Sequence, residues 1–497
     1  MAASADQTYD VIVIGAGPVG ENAAARASAT GLSVAVVEAE LVGGECSYWA
    51  CIPSKTLLRP GAVRAAARAT PGVADPGPLD AAAVLAWRDE TTGEGDDSGQ
   101  ERWLASAGIA LVRGHGRLIR ERVVEVAPEP GSGDDDGATR LLHARCAVVV
   151  ATGSAPVLPP VPGLAEASPW TSREATAAEE VPASLVVVGG GVVACEMATA
   201  YADLGSRVTL LARSALLGGA ERFAGEAVVE ALREAGVDVR LDAEVSEVSR
   251  PEIGGPVTVT VREGRGVEQV TAAELLVATG RRPRTADVGL DSVGLATDVP
   301  LDTDDSMAVR GTARAAGGRP WLFACGDVTG RVATTHQGKY EGRVAGDVVA
   351  RLYGPDNGAP EMPPEGARSW TRYAASADHT ARTQVVFTRP QVAWVGPTEA
   401  EAREAGLPVR AVSYDLSWVA GAAVTSPDYA GRAQVLVDTE RQVLVGATFV
   451  GPDASEMLHA ATVAVVGEVP LDRLWHAVPV FPTVSEVWLR FAEEYGL

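Results

Sequence analysis

Lysine is nearly missing from this 497-residue chain: of 42 basic residues only Lys55 and Lys339 are lysine, and the rest are arginine. With abundant alanine and glycine beside it, that bias reads as a coding-composition effect. It marks each remaining lysine as a position to test for a need that arginine does not meet. Cysteine is scarce too. The five cysteines (46, 51, 146, 195 and 325) are an odd number in a long chain and form no disulfide framework. The chain is expected to be cytoplasmic, where a disulfide would be catalytic rather than structural. Positive charge is outweighed, 42 Lys+Arg against 65 Asp+Glu for a formal net charge of −23, so no counterion release favours nucleic acid as a partner. No run of about 18 apolar residues occurs, so neither a transmembrane helix nor a membrane partner is expected. The opening MAASADQTYD has no basic residue ahead of its apolar stretch, which argues against a cleaved signal peptide. What is present is ordinary for a globular protein, 46% hydrophobic and 22% charged, with length enough for several domains.

Two glycine-rich segments share one plan. Residues 9–38 (YDVIVIGAGPVGENAAARASATGLSVAVVE) and 185–213 (LVVVGGGVVACEMATAYADLGSRVTLLAR) each read as apolar strand, glycine turn, helix and second strand. The turn carries Gly-x-Gly-x-x-Gly/Ala: Gly15, Gly17 and Gly20 in the first, Gly189, Gly191 and Ala194 in the second. Such glycines permit a tight turn and let the backbone approach a pyrophosphate at a helix N-terminus. One such pattern is a weak signal; two, each between strand and helix, are a strong one. The second strand of each segment reports on its nucleotide. Glu38 ends the first and suits an adenosine ribose 2′-hydroxyl. Ala212-Arg213 ends the second without an acid. A guanidinium pairs a 2′-phosphate, so this site leans to NADP over NAD unless Arg213 is a solvated strand end.

Loops punctuate the rest. The proline-rich strap APVLPPVPG (155–163) overlaps the end of a motif opened by Ala151-Thr152-Gly153. A matching Ala278-Thr279-Gly280 closes the second segment ahead of Arg281-Arg282-Pro283. The acidic, glycine-rich stretches 94–101 and 128–140 read as hairpins or surface loops without chemistry. From about residue 373, alternating runs such as TQVVFTRPQVAWVG and QVLVGATFVG predict an antiparallel sheet and a further domain.

The stretch Gly43-Gly44-Glu45-Cys46-Ser47-Tyr48-Trp49-Ala50-Cys51-Ile52-Pro53-Ser54-Lys55 follows the first segment directly. Cysteines five apart would rise about 7.5 Å along an ideal helix, beyond a relaxed disulfide. A bridge therefore requires a distorted first turn, where Pro53 also fits. A thiolate near that helix start gains from the positive end of the helix dipole. A zinc half-site is the competing reading, but no second Cys or His pair stands nearby, so no metal is expected.

Together these motifs resemble the flavoprotein pyridine nucleotide-disulfide oxidoreductases, the family of dihydrolipoamide dehydrogenase, glutathione reductase and mercuric reductase. GGECSYWACIPSK is similar to that family's redox-active segment. ATGSAP, VATGRRP and ACGDV are similar to its flavin and connecting motifs, and FTRPQVAWVG and VGPDASEML to its dimerisation domain. The likeness runs through essentially the whole chain. It implies an α/β fold with two Rossmann-like dinucleotide-binding domains, for FAD and NAD(P), plus a C-terminal α+β dimerisation domain in a homodimer. The expected divisions are an FAD domain split between 1–157 and 284–372, an NAD(P) domain at 158–283 and an interface domain at 373–497.

The resemblance also implies roles. Gly15, Gly17, Gly20 and Glu38 would hold the FAD adenosine and pyrophosphate, with Gly153 in the flavin motif and Asp327 near the ribityl-phosphate. Gly189, Gly191 and Arg213, with Gly280 in the closing motif, would serve NADPH; LLARSALL is similar to mercuric reductases, which use it. Cys46 would be the interchange thiol, Cys51 the flavin-side thiolate, Lys55 the lysine beside flavin N5 and Glu196 its ion-pair partner. Hydride arriving at N5 leaves negative charge, which a compact ammonium stabilises where a guanidinium would collide or stack. Lys339 has no such warrant and reads as a solvated helix residue.

The chain departs from the family near its C-terminus. Dihydrolipoamide dehydrogenase and glutathione reductase carry a His-Pro-Thr-x-x-Glu type dyad there, whose histidine is the acid/base of thiol–disulfide exchange in the other subunit. Here the segment is Val480-Phe481-Pro482-Thr483-Val484-Ser485-Glu486. Glu486 is kept as a candidate catalytic residue, but phenylalanine moves no proton, and such imidazoles contribute about 10²–10⁴ in rate. His476 lies upstream and reads as packed or capped rather than as a substitute. Mercuric reductases carry a C-terminal cysteine pair, whereas no cysteine follows Cys325 here. Cys146, Cys195 and Cys325 read as buried small hydrophobes. Tyr48 and Trp49 either shape the substrate side or fill space under the redox helix.

The expected function is passage of hydride equivalents from NADPH through FAD to a Cys46–Cys51 disulfide and on to a small-molecule acceptor. That acceptor should need little protonation help: a reactive disulfide, a quinone or a metal ion. NADH is an alternative donor. Other readings are an NAD-dependent dihydrolipoamide dehydrogenase, a quinone or metal-ion reductase of the same fold, and a flavin-binding protein with a structural or interaction role.

Overall fold

The apolar runs of the first glycine segment form strands buried on both faces, as parallel strands under helices must be. In the computed structural model, which describes residues 6–128, 138–312, 318–355 and 368–497, the chain divides into two units. Most of the loop expected at 128–140 lies outside the described residues.

The first unit combines Met1–Cys51, Thr92–Ala155 and Arg281–Asp378. Its sheet has the order Ile109–Arg113, Val34–Glu38, Gln7–Ile14, Arg140–Val150, Val123–Ala127, His115–Arg120, and Leu322–Ala324 also pairs with Arg140–Val150. The strands on the Ile109 side and Leu322–Ala324 pair in parallel; the last two join as an antiparallel meander. Helices Pro18–Ser28 and Thr335–Tyr353 pack over this sheet and against each other. Their backbones meet closely: a Cβ on Gly342 or Gly346 would stand 2.5 Å from the carbonyl oxygen of Val19 or Ala23. An Arg26–Asp347 ion pair at 2.6 Å closes the far end of this contact.

Within the expected loop 94–101, Asp97 is buried rather than free. It accepts the Val42 N–H at 2.6 Å and pairs with Arg113 at 2.6 Å, which anchors the chain just ahead of Gly43.

The second unit combines Ile52–Thr91, Pro156–Gly280 and His379–Leu497. A parallel sheet runs Asp238–Arg240, Arg207–Leu211, Ser184–Val188, Glu274–Val277, flanked by a three-stranded antiparallel meander from Ala243 to Ala272. The antiparallel sheet expected in the C-terminal part is present as five strands, in the order Thr383–Val386, Gln391–Val395, Val443–Gly451, Arg432–Asp438, Val409–Asp415. Helix Cys51–Ala69 enters this unit at Ile52, where buried Asp203 pairs with its Arg64 at 2.9 Å and with Arg389. No described helix is long and apolar enough to cross a membrane.

Candidate active site

The first glycine turn separates two demands on glycine. Gly15 has φ +102°, and a Cβ there would stand 2.5 Å from the Ala151 carbonyl oxygen; one on Gly20 would stand 1.9 Å from the Gly15 oxygen. The fold itself requires these two. A Cβ on Gly17 would meet nothing within 4 Å, and its φ of −67° is ordinary. Close approach of a ligand is the demand that suits it. Gly17 begins helix Pro18–Ser28 with no side-chain cap, so the first N–H groups of that helix are left for a phosphate. Glu38 accepts the N–H of Ala16 at 2.7 Å and of Glu40 at 2.8 Å. Burial raises its pKa above the ordinary carboxylate value, and these two bonds work against the rise. The cradle fits the pyrophosphate and ribose of a dinucleotide such as FAD.

Gly43 and Gly44, with φ of +107° and +55°, turn the chain into the short helix Gly44–Tyr48. That helix stops at Trp49, and helix Cys51–Ala69 starts afresh. The distorted turn expected from cysteine spacing is thus a break between two helices. Cys46 and Cys51 face each other across it in hydrogen-bonding contact. Cys51 Sγ also lies 3.2 Å from Oγ1 of Thr335, the first residue of helix Thr335–Tyr353. Contact with Cys51, then burial, pushes the Cys46 thiol above its ordinary range, while Thr335 and Lys339 pull it down. Tyr48 is buried, its hydroxyl donating to the Val42 carbonyl at 3.1 Å, and the Trp49 ring tilts against it at 5.7 Å. Tyr48 thus packs beneath the turn, while Trp49 is half-buried.

A network invisible in the sequence surrounds Glu45. Its carboxylate pairs with Arg284 at 3.2 Å and Arg281 at 3.4 Å. Arg281 Nε donates to Ser154 Oγ at 2.8 Å, and that hydroxyl donates to Asp327 Oδ2 at 2.5 Å. The residue beside Cys46 is thereby linked to the Gly153 and Asp327 motifs. The Arg281-Arg282-Pro283 run was the available signal, but its partner stands more than 200 positions away in the chain.

The second glycine turn repeats the logic. Gly189 has φ +142° and would place a Cβ 2.3 Å from the Ala278 oxygen, whereas a Cβ on Gly191 meets nothing within 4 Å. Gly153 and Gly280, with φ of +71° and +143°, are likewise open. Arg213 is exposed just past strand Arg207–Leu211. In the helix that follows this turn, Val192–Asp203, Glu196 is buried. Its Oε2 accepts from Lys55 Nζ at 2.7 Å, and its Oε1 accepts the Phe387 N–H at 3.0 Å. The Lys55 ammonium also stands 5.1 Å from the centre of the Phe387 ring.

Toward the C-terminus, Val478, Val480 and Phe481 are 83%, 72% and 71% exposed. Glu486 is buried and bound by Arg490 and by the Ala420 N–H at 3.2 Å, so none of its partners is a histidine. His476, expected to be packed or capped, is exposed, its ring meeting Trp475 edge-on at 4.9 Å. Cys195 and Cys325 are fully buried as expected, but Cys146 is only half-buried. Among the described residues no group of three or more His, Cys, Asp or Glu could hold a metal ion.

Comparison with known proteins gives two family matches. Residues 9–342 match the pyridine nucleotide-disulphide oxidoreductase model, and residues 383–491 match that family's dimerisation domain. A protein named dihydrolipoyl dehydrogenase 2, from Haloarcula marismortui, is 32% identical over 492 residues, covering 96% of this chain and 94% of its own. A mercuric reductase from Shigella flexneri is 31% identical over 487 residues, covering 96% of this chain and 78% of its own. Among solved structures, LpdA from Mycobacterium tuberculosis matches with a TM-score of 0.80 at 24% identity, over 99% of this chain and 100% of that one. The Cu(II) complex of the HOCl-induced flavoprotein disulfide reductase RclA from Escherichia coli matches with a TM-score of 0.78 at 23% identity, over 98% and 99%. At those identities the two structures speak for the fold alone.

Proposed function

The chain belongs to the pyridine nucleotide-disulphide oxidoreductase family, and on that premise we propose that it passes reducing equivalents from NADPH to the Cys46–Cys51 pair and on to a small oxidised acceptor. The observation that carries this reading is the pair itself: two cysteines in contact across a helix break, in the same unit as the first dinucleotide cradle.

Gly15, Gly17, Gly20 and Glu38 hold the adenosine and pyrophosphate of FAD, with Gly153 and Asp327 toward its ribityl end. Bound FAD supplies the hydride acceptor and the electrons that open the disulfide. Gly189, Gly191 and Gly280 hold NADPH, and the exposed Arg213 guanidinium pairs its 2′-phosphate. Lys55, fixed by Glu196, keeps a compact positive charge where hydride arrives. Cys46 meets the acceptor, and Cys51 attacks the Cys46 sulfur to close the disulfide and release the product. Glu486, bound by Arg490, serves to place the C-terminal segment.

The same reading divides the chain into an FAD domain (1–157 and 284–372), an NADPH domain (158–283) and an interface domain (373–497) that pairs two copies as a homodimer. A cytoplasmic location fits the scarcity of cysteine. Phe481, in place of an acid/base imidazole, favours an acceptor that needs little proton transfer: a reactive disulfide, a quinone or a metal ion. The second reading, oxidation of dihydrolipoamide with NAD, is favoured by relatives of that name over nearly the whole chain.

Anaerobic titration tests both. Wild type should consume twice as much NADPH per bound FAD as Cys46→Ser, and less NADPH than NADH should be needed for the same rate. Equal uptake by the two proteins would overturn the disulfide cycle. Dihydrolipoamide turnover as fast as NADPH oxidation would establish the second reading instead.

A further inference from the structure

We propose that Glu341 is a positioning residue of the flavin cradle, its carboxyl fixing the Gly326–Asp327 backbone and with it the Asp327 side chain. The inference rests on the reading of Asp327 as a residue that holds FAD.

Glu341 lies in helix Thr335–Tyr353 and is fully buried. Its Oε2 accepts the Gly326 N–H at 2.6 Å, and Asp327 is the next residue. Its Oε1 is buried and has no hydrogen-bond partner among the described residues. A buried carboxyl left half-satisfied is destabilising, and an apolar side chain would fill this place at less cost. What the carboxyl contributes is the bond to Gly326. The two segments meet closely there: a Cβ on Gly338, about one turn earlier in the helix, would stand 3.2 Å from the Gly326 Cα.

The short turn Asp327–Thr329 is held at its other end as well. Arg331 Nη2 donates to Asp305 Oδ1 at 2.7 Å and its Nη1 to the Asp304 carbonyl at 3.2 Å. Arg331 Nε stands 3.3 Å from Oδ2 of buried Asp378. Asp378 also accepts from Gln337 Nε2 at 2.7 Å, and Gln337 lies one turn before Glu341 on the same helix. Between these two grips, Asp327 Oδ2 accepts from Ser154 Oγ at 2.5 Å, and that hydroxyl accepts from Arg281 Nε at 2.8 Å. Arg281 in turn pairs with Glu45, the residue beside Cys46, at 3.4 Å. Glu341 thus anchors the buried end of a chain of contacts that runs through Asp327 toward the cysteines.

The surroundings favour the neutral carboxyl. Burial, and then the Asp378 carboxylate, push Glu341 well above the ordinary carboxylate range; Asp327 adds to the rise, while the Gly326 bond and Arg331 oppose it. An uncharged acid still accepts the Gly326 N–H and sets no bare charge against Asp378 and Asp327. Glutamine has the same length, no charge and the same accepting oxygen, so it keeps the function. Aspartate is one methylene too short to reach Gly326, and methionine fills the space without an acceptor.

FAD release from the purified holoprotein tests this, read as free-flavin fluorescence on serial dilution. Glu341→Met and Glu341→Asp should each raise the FAD dissociation constant about tenfold or more, the effect of one lost hydrogen bond at the cradle. Glu341→Gln should stay within about threefold of wild type. Should the methionine variant not fold, the aspartate variant, which keeps an acid, carries the comparison. A wild-type dissociation constant in either of these two variants would overturn the inference, as would a glutamine variant as weak as they are. So would a loss of FAD that only tracks lost melting temperature in the stripped proteins, since that is packing and not positioning. Asp327→Asn holding FAD as tightly as wild type would instead overturn the underlying reading of Asp327.

Discussion

Lys55 Nζ donates to Glu196 Oε2 at 2.7 Å while the other oxygen of that carboxylate takes the Phe387 N–H at 3.0 Å. Both oxygens of a buried acid are thus committed, and the position of the ammonium is set from behind. The Phe387 ring beside it limits lateral movement. A guanidinium is larger and planar and could not keep the charge at the same point.

Lys55→Arg is therefore expected to fold but to slow NADPH-driven reduction of bound FAD about tenfold or more, measured by anaerobic stopped-flow absorbance. Lys55→Met leaves the buried Glu196 without its cation. The Lys55 side chain is 35% exposed, so the loss is discounted for solvent to about 2 kcal/mol, read from denaturant melts.

The glycines of the first turn should separate by what they serve. Gly20→Ala drives a methyl into the Gly15 carbonyl and should lower the melting temperature sharply, by a few kcal/mol of stability. Gly17→Ala has room and should melt like wild type once stripped of cofactor, yet bind FAD more weakly. Thermal melts of the apoproteins, beside flavin absorbance of the purified holoproteins, check both halves.

Arg213 should decide the nicotinamide. Arg213→Ala is expected to raise the KM for NADPH about tenfold to a hundredfold, the worth of one or two charge-assisted hydrogen bonds, and to leave NADH little changed. Parallel loss with both nucleotides would count against a 2′-phosphate contact.

Glu21 carries a pH signature. Burial raises its pKa from 4.5 to about 7, against the pull of Lys339. The folded chain holds this proton more tightly than the unfolded one, so the carboxyl ionises at a cost as pH rises from about 4.5 through 7. That cost is fully present above pH 7. Glu21→Gln removes it: the variant should match wild type near pH 4 and exceed it by about 2–3 kcal/mol near pH 8. Denaturant melts across this range give the answer, and a gain that does not grow with pH would contradict it.

Much of the fold was legible because its determinants are local. Strand, glycine turn and helix follow one another within about thirty residues, and Gly15 and Gly189 need φ values that other residues resist. The cysteine spacing required a distorted turn for a bridge, and the chain has a break between Tyr48 and Cys51. Less was legible where one side chain answers to a distant one. Asp97 read as part of a featureless acidic loop because its burial depends on Arg113 and the Val42 backbone. Glu45 gave no signal of its two arginines, and His476 read as packed although its segment lies open.

The two lysines divide along the same line. The sequence by itself determined the two dinucleotide turns and the cysteine pair, and it singled out Lys55 as a candidate, because backbone conformation and motif spacing are written in neighbouring residues. Tertiary structure decided what surrounds them: that Glu196 fixes Lys55, and that Lys339, unremarkable within its own helix, shares a face with Thr335 at the cysteines. Charge acts through space, and only the packing of Pro18–Ser28 against Thr335–Tyr353 sets the Lys339 charge against the rise in the Glu21 pKa.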